Sequence, residues 1–176
     1  MIPTTCDRAW TNYAILAALA PLAQTYLGVG VQEGGCVEQV VQAHPTINLT
    51  LCDTWGPHHG GTNRGSHAHI DALLQRVGHR GSVTYLDGLS QDLIPALPLT
   101  RFDLTYVDGG HDTPTALSDL THVWPRTGVV LVVHDVYFPG VWMALTCWLG
   151  LIPARELALL QIVPAGTGTG ILWRQA

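Results

Sequence analysis

Two short apolar segments that end in polar side chains constrain the fold of this chain more than any other feature. Residues 102–107 form the first segment, and Asp108-Gly109-Gly110-His111 follow it. Residues 129–133 form the second, and His134 and Asp135 follow it. Open α/β sheets bind their ligands beyond the carboxyl ends of parallel strands. Two such strands side by side therefore predict a polar site at one edge of a parallel sheet.

The rest of the chain alternates between strand and helix patterns. Strands are predicted at residues 24–29, 47–52, 82–86, 102–107, 129–133, 157–163 and 170–174, and helices at residues 6–20, 37–43, 67–77, 93–97, from 113 onward and 141–149. Alternation of this kind predicts an α/β fold with a parallel sheet covered on both faces. The last two strands predict an antiparallel hairpin. A single domain is expected over residues 1–176, with a leading helix in 1–22 and a core in 23–176.

The helix patterns also predict where individual side chains lie. Ser66 precedes the helix at residues 67–77 and is expected to cap it. Asp119 is expected to face outward from the helix that begins at residue 113. The large side chains near the C-terminus are expected in the hydrophobic core rather than around a cofactor. They are Trp142, Met143 and Trp148.

Composition excludes several classes of partner. Of the 176 residues, 47% are hydrophobic and 12% are charged, which is typical of a globular protein. The net charge is −5 and the eight basic residues form no basic stripe, so nucleic acid is not expected as a partner. No apolar run reaches membrane-spanning length, and the first residues do not resemble a signal peptide. A cytoplasmic protein without a membrane partner is therefore expected.

Cysteine and histidine spacing argues against a structural metal site. The four cysteines form no Cys-x-x-Cys unit, so free thiols in a reducing compartment are expected. These are Cys6, Cys36, Cys52 and Cys147. Four histidines cluster around a glycine-rich run, which favours a solvent-exposed loop over a metal site. These are His58, His59, His67 and His69.

A glycine-rich turn follows the first predicted strand, with glycines at Gly28, Gly30 and Gly34. Glycine allows close approach of a ligand to the backbone, and the following helix N-terminus favours an anionic group. Asp53 ends the next strand about twenty residues later, the usual separation for an acid that binds ribose hydroxyls. The glycine spacing differs from the dinucleotide-binding pattern. The two features together favour a nucleoside site.

The third strand is followed by Gly88-Leu89-Ser90-Gln91-Asp92. Ser90 and Gln91 offer the donors and acceptors that an adenine edge requires. The alternative is that Ser90 or Asp92 caps a short helix.

The central strand ends carry the candidate metal ligands. Asp108, His134 and Asp135 combine carboxylates, which suit Mg²⁺ or Mn²⁺, with an imidazole, which favours Mn²⁺, iron or zinc. The alternative is that Asp135 caps a loop and His134 is a hydrogen-bonded core histidine. His111 lies three residues after Asp108, and its ordinary titration range suits a general base. The alternative is that His111 is a solvated loop histidine.

Together these motifs resemble the class I S-adenosylmethionine-dependent methyltransferases, and among them the metal-dependent O-methyltransferases of the catechol, sugar and macrolide types. The resemblance extends over residues 24–174. It implies a Rossmann-like fold with a mostly parallel seven-stranded sheet, a C-terminal antiparallel hairpin, and helices on both faces. It also implies S-adenosyl-L-methionine as cofactor, with a divalent metal such as Mg²⁺ or Mn²⁺.

The resemblance assigns the cofactor-binding residues. The loop that holds the methionine part of the cofactor corresponds to Gly28, Gly30, Gly34 and Cys36. Gly28 replaces the usual acid and Cys36 the usual serine, which weakens the expected hold on that part. Asp53 matches the ribose-binding acid, and the other residues expected at the cofactor are Trp55, Gly88, Ser90, Gln91 and Asp108.

The resemblance also assigns the chemistry. Asp108 matches the first metal ligand, and His134 and Asp135 match the remaining acidic or amide ligands. Histidine at position 134 is a departure from the family pattern. His111 falls where the family has its catalytic base, so methyl transfer to a hydroxyl of a small molecule is expected.

Two alternatives to this function remain at the level of sequence. A nicotinamide-dependent oxidoreductase would use the same glycine turn and Asp53, but it would leave Ser90, Gln91, His134 and Asp135 without a role. A relative that binds cofactor or metal without turnover is suggested by the missing acid at Gly28. The acceptor has no recognisable pattern, although the loop at residues 55–66 is placed to cover it. A homo-oligomer in which a neighbouring subunit helps to cover the acceptor is a hypothesis from chain length.

Overall fold

The computed structural model describes residues 10–56 and 65–175. Seven strands form one sheet: β1 (Thr25–Val29), β2 (Asn48–Asp53), β3 (Val83–Asp87), β4 (Phe102–Val107), β5 (Thr127–Val133), β6 (Leu157–Val163) and β7 (Thr169–Arg174). The helices are α1 (Trp10–Leu19), α2 (Gly35–Ala43), α3 (His67–Arg76), α4 (Ser90–Ala96), α5 (Thr113–Val123) and α6 (Pro139–Leu149). The predicted alternation of strands and helices is confirmed.

The sheet has the strand order β3-β2-β1-β4-β5-β7-β6. The first five strands in that order are parallel, and β7 is antiparallel to both β5 and β6. Val107 is level with Val29 on one side and Val133 on the other. The residues after these three strands therefore emerge side by side, which brings Gly30, Asp108 and His134 to one edge of the sheet.

Helices cover both faces of the sheet, as predicted. Alternate residues of the strands point to opposite faces, so Tyr106 belongs to one core cluster and Val107 to the other. The first cluster packs against α1, α2 and α3 through Leu16, Val40 and Ile70. The second packs against α5 and α6 through Leu120, Leu145 and Trp148. Burial of both sheet faces explains why β4 and β5 read as nearly continuous apolar runs.

Two helix starts depend on polar side chains. Ser66 Oγ accepts a hydrogen bond from the backbone N–H of His69 at 3.2 Å, so the predicted cap of α3 is confirmed. Asp112 caps α5 by accepting from the backbone N–H of Thr115 at 3.0 Å. The start of α4 differs from the prediction: it begins at Ser90 rather than residue 93, and Leu89, which has no side-chain cap, precedes it.

The burial of several side chains corrects the sequence predictions. Asp119 does not face outward; it is only 1% exposed, because α5 packs against the sheet and against the helices α4 and α6. Trp148 is in the core as predicted, but Trp142 and Met143 are 47% and 53% exposed. An apolar helix with little amphipathic pattern does not reveal in its sequence which face is buried.

The N-terminal helix and the cysteines agree in part with expectation. The predicted helix at residues 6–20 is described from Trp10 to Leu19, and residues 6–9 lie outside the described part of the chain. Cys36, Cys52 and Cys147 are free thiols, of which Cys52 is buried and Cys147 is exposed. Cys6 also lies outside the described residues. Over residues 10–56 and 65–175, no helix has both the length and the apolar character needed to span a membrane.

Candidate active site

The loop after β1 passes directly over the end of β4. Gly30 has φ +80°, a conformation that side chains other than glycine rarely adopt. A Cβ at this position would overlap the backbone carbonyl oxygen of Asp108. Glycine at position 30 therefore brings the two loops into contact, and it leaves the backbone open to a ligand.

Asp53 joins the loop after β1 to the loop after β2. Its Oδ2 accepts hydrogen bonds from the backbone N–H groups of Val31 at 2.7 Å and Gln32 at 2.9 Å. Its Oδ1 accepts from the backbone N–H of Trp55 at 2.8 Å. A carboxylate has about four acceptor positions, so Asp53 retains capacity for a ligand hydroxyl while it orders the glycine loop.

One continuous cleft contains most of the residues expected at the cofactor. Seven of the residues expected at the cofactor line this cleft: Gly30, Asp53, Trp55, Gly88, Ser90, Gln91 and Asp108. Gln91 Nε2 donates to Thr115 Oγ1 at 2.8 Å. This bond fixes the orientation of the Gln91 amide and leaves its oxygen available to accept from an amino group such as that of adenine.

Trp55, which lines the cleft, has His67 and Tyr85 as aromatic neighbours, with 5.0 and 5.7 Å between ring centroids. Trp55 Nε1 donates to Asp87 Oδ1 at 3.0 Å, and His67 Nε2 lies 2.7 Å from the same oxygen. The His67 ring stacks on Tyr85 with 4.0 Å between centroids. His69 contacts the backbone oxygen of Glu33 instead, at 3.1 Å, so the two histidines of α3 have different partners. His58 and His59 lie outside the described residues.

Beyond Asp108 the cleft continues into a cluster of two carboxylates and two imidazoles. His111 Nε2 lies 2.9 Å from Asp135 Oδ2 and 3.7 Å from Asp108 Oδ1. His134 Nδ1 lies 3.2 Å from Asp108 Oδ1 and 3.4 Å from Asp135 Oδ1. Asp135 has φ +54°, a left-handed conformation that is uncommon outside glycine and that aspartate and asparagine adopt more often than most residues. Such conformations cluster at functional sites.

The cluster shifts the pKa of three of its members. Hydrogen bonds to Asp108 and then Asp135 raise the pKa of His111 to about 10. Burial would raise the pKa of Asp108, but hydrogen bonds from His111, His134 and Tyr106 outweigh burial and lower it. Burial would lower the pKa of His134, but its pairing with Asp108 raises it. Without a cation, the cluster therefore favours ionised Asp108 and a protonated His111.

The donor set fits a divalent cation. Ligand atoms of Asp108, His111 and Asp135 lie within 4.8 Å of one another, and among the described residues this is the only such group of three. His134 contacts both carboxylates as well. Oxygen donors with an imidazole suit Mn²⁺ and related ions. The Nε2 atom of His111 cannot bind a cation and accept a proton at the same time, so a His111 that served as a base would leave His134 as the imidazole donor.

Three residues that the sequence patterns did not single out support the cluster. Tyr106 donates its hydroxyl to Asp108 Oδ2 at 2.9 Å, and Asn12 Nδ2 donates to the Tyr106 oxygen at 2.9 Å. Phe138 stacks on the His111 ring at 5.0 Å between centroids. The two-residue periodicity of a strand places Tyr106 on the same side as Asp108. This periodicity could have identified Tyr106 from the sequence. No sequence pattern identified Asn12 or Phe138.

The departures at Gly28 and Cys36 have a structural counterpart. A Cβ on Gly28 would lie 2.9 Å from Cε1 of the Tyr26 ring, so this ring fills the space that a longer side chain would need. Cys36 lies in the same part of the cleft as Asp108 and His111. Burial, followed by the nearby charge of Asp108, raises the pKa of its thiol to about 12. Cys36 is therefore a neutral thiol. Gly34 precedes α2 in a left-handed conformation and does not line either part of the cleft.

Comparisons with known proteins identify the family and the fold of the chain. The family described as "Methyltransferase domain" matches residues 27–136. No curated protein sequence matches the chain. Three solved structures illustrate the structural similarity.

The S-adenosylmethionine complex of the O-methyltransferase TomG from Streptomyces achromogenes is 15% identical, with a TM-score of 0.68, covering 99% of this chain and 83% of that chain. The apo structure of CalS11, a TDP-rhamnose 3'-O-methyltransferase of calicheamicin biosynthesis, is 18% identical, with a TM-score of 0.68. The match covers 98% of this chain and 87% of that chain. The Podospora anserina methyltransferase PaMTH1, bound to S-adenosylhomocysteine, is 12% identical, with a TM-score of 0.66. The match covers 93% of this chain and 78% of that chain.

The chain belongs to the methyltransferase domain family, because the match spans 110 of its 176 residues. Its fold is that of the class I S-adenosylmethionine-dependent methyltransferases, as the sequence resemblance implied. The family match favours a methyltransferase over the nicotinamide-dependent alternative. At these identities the solved structures establish the fold and leave the acceptor to be determined.

Proposed function

We propose that this protein transfers a methyl group from S-adenosylmethionine to a hydroxyl of a small molecule, with a divalent cation at the Asp108 cluster and His111 as general base. The observation that carries this proposal is the position of Asp108. It lines the first part of the cleft, which contains Asp53, Ser90 and Gln91, and also the second part, which contains His111, His134 and Asp135. A cofactor in the first part would end where an acceptor in the second part begins.

The residues of the first part fit the cofactor. Gly30 leaves backbone exposed, Asp53 retains acceptor capacity, and the Gln91 oxygen is available for an amino group. When bound, the cofactor supplies an activated methyl group. The task of the protein is then to hold the acceptor oxygen in line with that methyl group, and such positioning can supply a large share of the rate.

The residues of the second part fit a cation and a base. Asp108 and Asp135 would hold the cation, with His134 as the imidazole ligand. When bound, the cation would lower the pKa of the acceptor hydroxyl. His111 would then accept the hydroxyl proton at Nε2. Positive charge held by the same carboxylates would lower the pKa of His111 by repulsion, which favours the neutral base. Phe138 stacks on the ring and would keep it oriented.

The proposal is tested by calorimetry followed by an activity screen. Titration of the purified protein with S-adenosylhomocysteine should give saturable heat. Incubation with S-adenosylmethionine, Mn²⁺ or Mg²⁺, and phenolic, sugar or macrolide acceptors should give a methylated product by mass spectrometry. Absence of binding by either form of the cofactor would contradict the proposal. Binding without product from any acceptor class would favour the relative without turnover.

Replacement of Asp135 with asparagine is expected to weaken divalent-cation binding by at least about tenfold. The amide removes one anionic ligand, while asparagine tolerates the left-handed backbone at this position. Electron paramagnetic resonance of free Mn²⁺ measures the affinity directly. Asp71→Asn is the matched control, because Asp71 accepts from Tyr85 outside the cluster. Equal Mn²⁺ affinity in Asp135→Asn and the control would support the loop-capping alternative for Asp135.

A further inference from the structure

Asn12 is a buried amide with an unsatisfied oxygen beside the cleft. It lies on α1, before the part of the chain that matches the methyltransferase family. The residue is 2% exposed, yet its Oδ1 has no hydrogen-bond partner. A buried polar atom without a partner is costly and calls for an explanation.

The contacts of Asn12 determine which of its amide atoms is free. The single hydroxyl proton of Tyr106 is donated to Asp108 Oδ2 at 2.9 Å, so the Tyr106 oxygen can only accept from Asn12. Asn12 must therefore present Nδ2 to Tyr106, at 2.9 Å, and the same nitrogen lies 3.7 Å from Cys36 Sγ. These hydrogen bonds fix the orientation of the Asn12 amide, and they leave Oδ1 as the atom without a partner.

The surroundings of Asn12 favour a cationic donor. Asn12 lines the second part of the cleft together with Gly30, Cys36 and Asp108. Carboxylates of Glu33 and Glu38 line it too, and Arg76, the arginine of the lining, is paired with Glu38 at 3.1 Å. The imidazoles of His111 and His134 also line it, and both are paired with the carboxylates of Asp108 and Asp135. An acceptor oxygen among carboxylates is complementary to an ammonium group.

The neighbouring position where an acid would be expected is closed. Gly28 carries no side chain, and the Tyr26 ring occupies the adjacent space. Cys36 offers only a weak acceptor. The amino-acid end of a cofactor that enters this part of the cleft must therefore find its partners elsewhere, and Asn12 has the free acceptor.

We propose that Asn12 binds the α-ammonium group of the methionine part of S-adenosylmethionine through Oδ1, in place of the acid absent at Gly28. This inference rests on the proposed function, since it names a contact of the same cofactor. Helix α1 would then be part of the cofactor site, and Tyr106 would join the ammonium contact at Asn12 to Asp108.

Calorimetry with three ligands tests this contact. S-adenosylhomocysteine carries both the ammonium and the carboxylate, its deaminated analogue keeps only the carboxylate, and 5'-methylthioadenosine lacks the amino-acid end. Asn12→Leu is expected to weaken S-adenosylhomocysteine binding by about tenfold or more, a loss of one acceptor to a charged donor. The other two ligands should bind the variant and the wild type equally. Asn12→Asp, which keeps an acceptor, should bind S-adenosylhomocysteine more tightly than Asn12→Leu.

Controls separate this inference from the proposed function. Asn48→Ala changes an asparagine that contacts Ser82 outside the cleft, and it should leave all three affinities unchanged. If Asn12→Leu lowered the affinity for all three ligands equally, Asn12 would have a packing role and the inference would be overturned. Unchanged S-adenosylhomocysteine binding in Asn12→Leu would overturn it as well. Failure of the wild type to bind S-adenosylhomocysteine would instead contradict the proposed function.

Discussion

Replacing His111 with alanine is expected to slow methyl transfer by about a hundredfold or more, with little change in the affinity for S-adenosylhomocysteine. His111 Nε2 lies 2.9 Å from Asp135 and 3.7 Å from Asp108, in the second part of the cleft and beside the aspartate that lines both parts. Loss of the imidazole removes the group that would accept the hydroxyl proton. Single-turnover rates at saturating cofactor, acceptor and cation measure this step without a contribution from weaker binding.

His134→Ala is the comparison that separates a base from a ligand. If His134 is the imidazole ligand, its loss should weaken Mn²⁺ binding, whereas His111→Ala should leave Mn²⁺ affinity nearly unchanged. Weaker Mn²⁺ binding in His111→Ala, with normal binding in His134→Ala, would reverse the two roles. His122→Ala, near the opposite end of α5 from the cluster, serves as a control for both measurements. An unchanged single-turnover rate in His111→Ala would remove His111 from the proton transfer.

Replacing Asp119 with asparagine is expected to raise the free energy of unfolding by roughly 3 kcal/mol at pH 8, because the neutral amide avoids an ionised carboxylate in the core. Asp119 is 1% exposed, and neither carboxylate oxygen has a hydrogen bond of standard geometry. Burial raises its pKa from 3.8 to about 6; the nearby Ser90 hydroxyl lowers the pKa and the charge of Asp112 raises it.

The sign of the pH dependence follows from these pKa values. Below the unfolded pKa the carboxyl is protonated in both states and costs no stability. Between pH 3.8 and about 6 the unfolded state ionises first, so the wild type loses stability as pH rises and stays at the lower value above about 6. Asp119→Asn should not show this loss. The free energies of unfolding of the two proteins should therefore differ at pH 8 and become equal near pH 4.

Urea unfolding at pH 4, 6 and 8 measures this difference. Asp92→Asn, a change of an exposed aspartate on α4, is the control and should shift the free energy of unfolding little at any of the three values. A pH-independent loss of stability in Asp119→Asn would show that the carboxyl makes a hydrogen bond that the amide cannot replace. That result would contradict the account of Asp119 as an unpaired buried acid.

Local patterns predicted the elements of this fold because strand and helix periodicities survive in the final structure. Residues 102–107 were predicted as a strand and form β4 with the same bounds. Ser66 was predicted to cap α3, and its hydroxyl does so. Both depend on interactions among neighbours in the chain, which a sequence displays directly.

Predictions about solvent exposure failed where the packing of several elements decided the outcome. The charge of Asp119 suggested an outward position, but α5 packs against α4, α6 and the sheet, and leaves little of its surface in water. Trp142 and Met143 suggested a buried position, but only one side of α6 contacts α5. Side-chain type gives a preference for burial, and the neighbouring elements determine whether it is met.

The polar residues at the two strand ends were visible in the sequence, because each follows its strand directly. The sequence by itself determined that Asp108, His111, His134 and Asp135 would lie at the carboxyl edge of a parallel sheet. Only the tertiary structure decided that His111 faces both carboxylates, that Tyr26 fills the space beside Gly28, and that Asn12 reaches Tyr106 across 94 positions of the chain. Such contacts depend on the docking of α1 and the loops against the sheet, which local sequence periodicity does not encode.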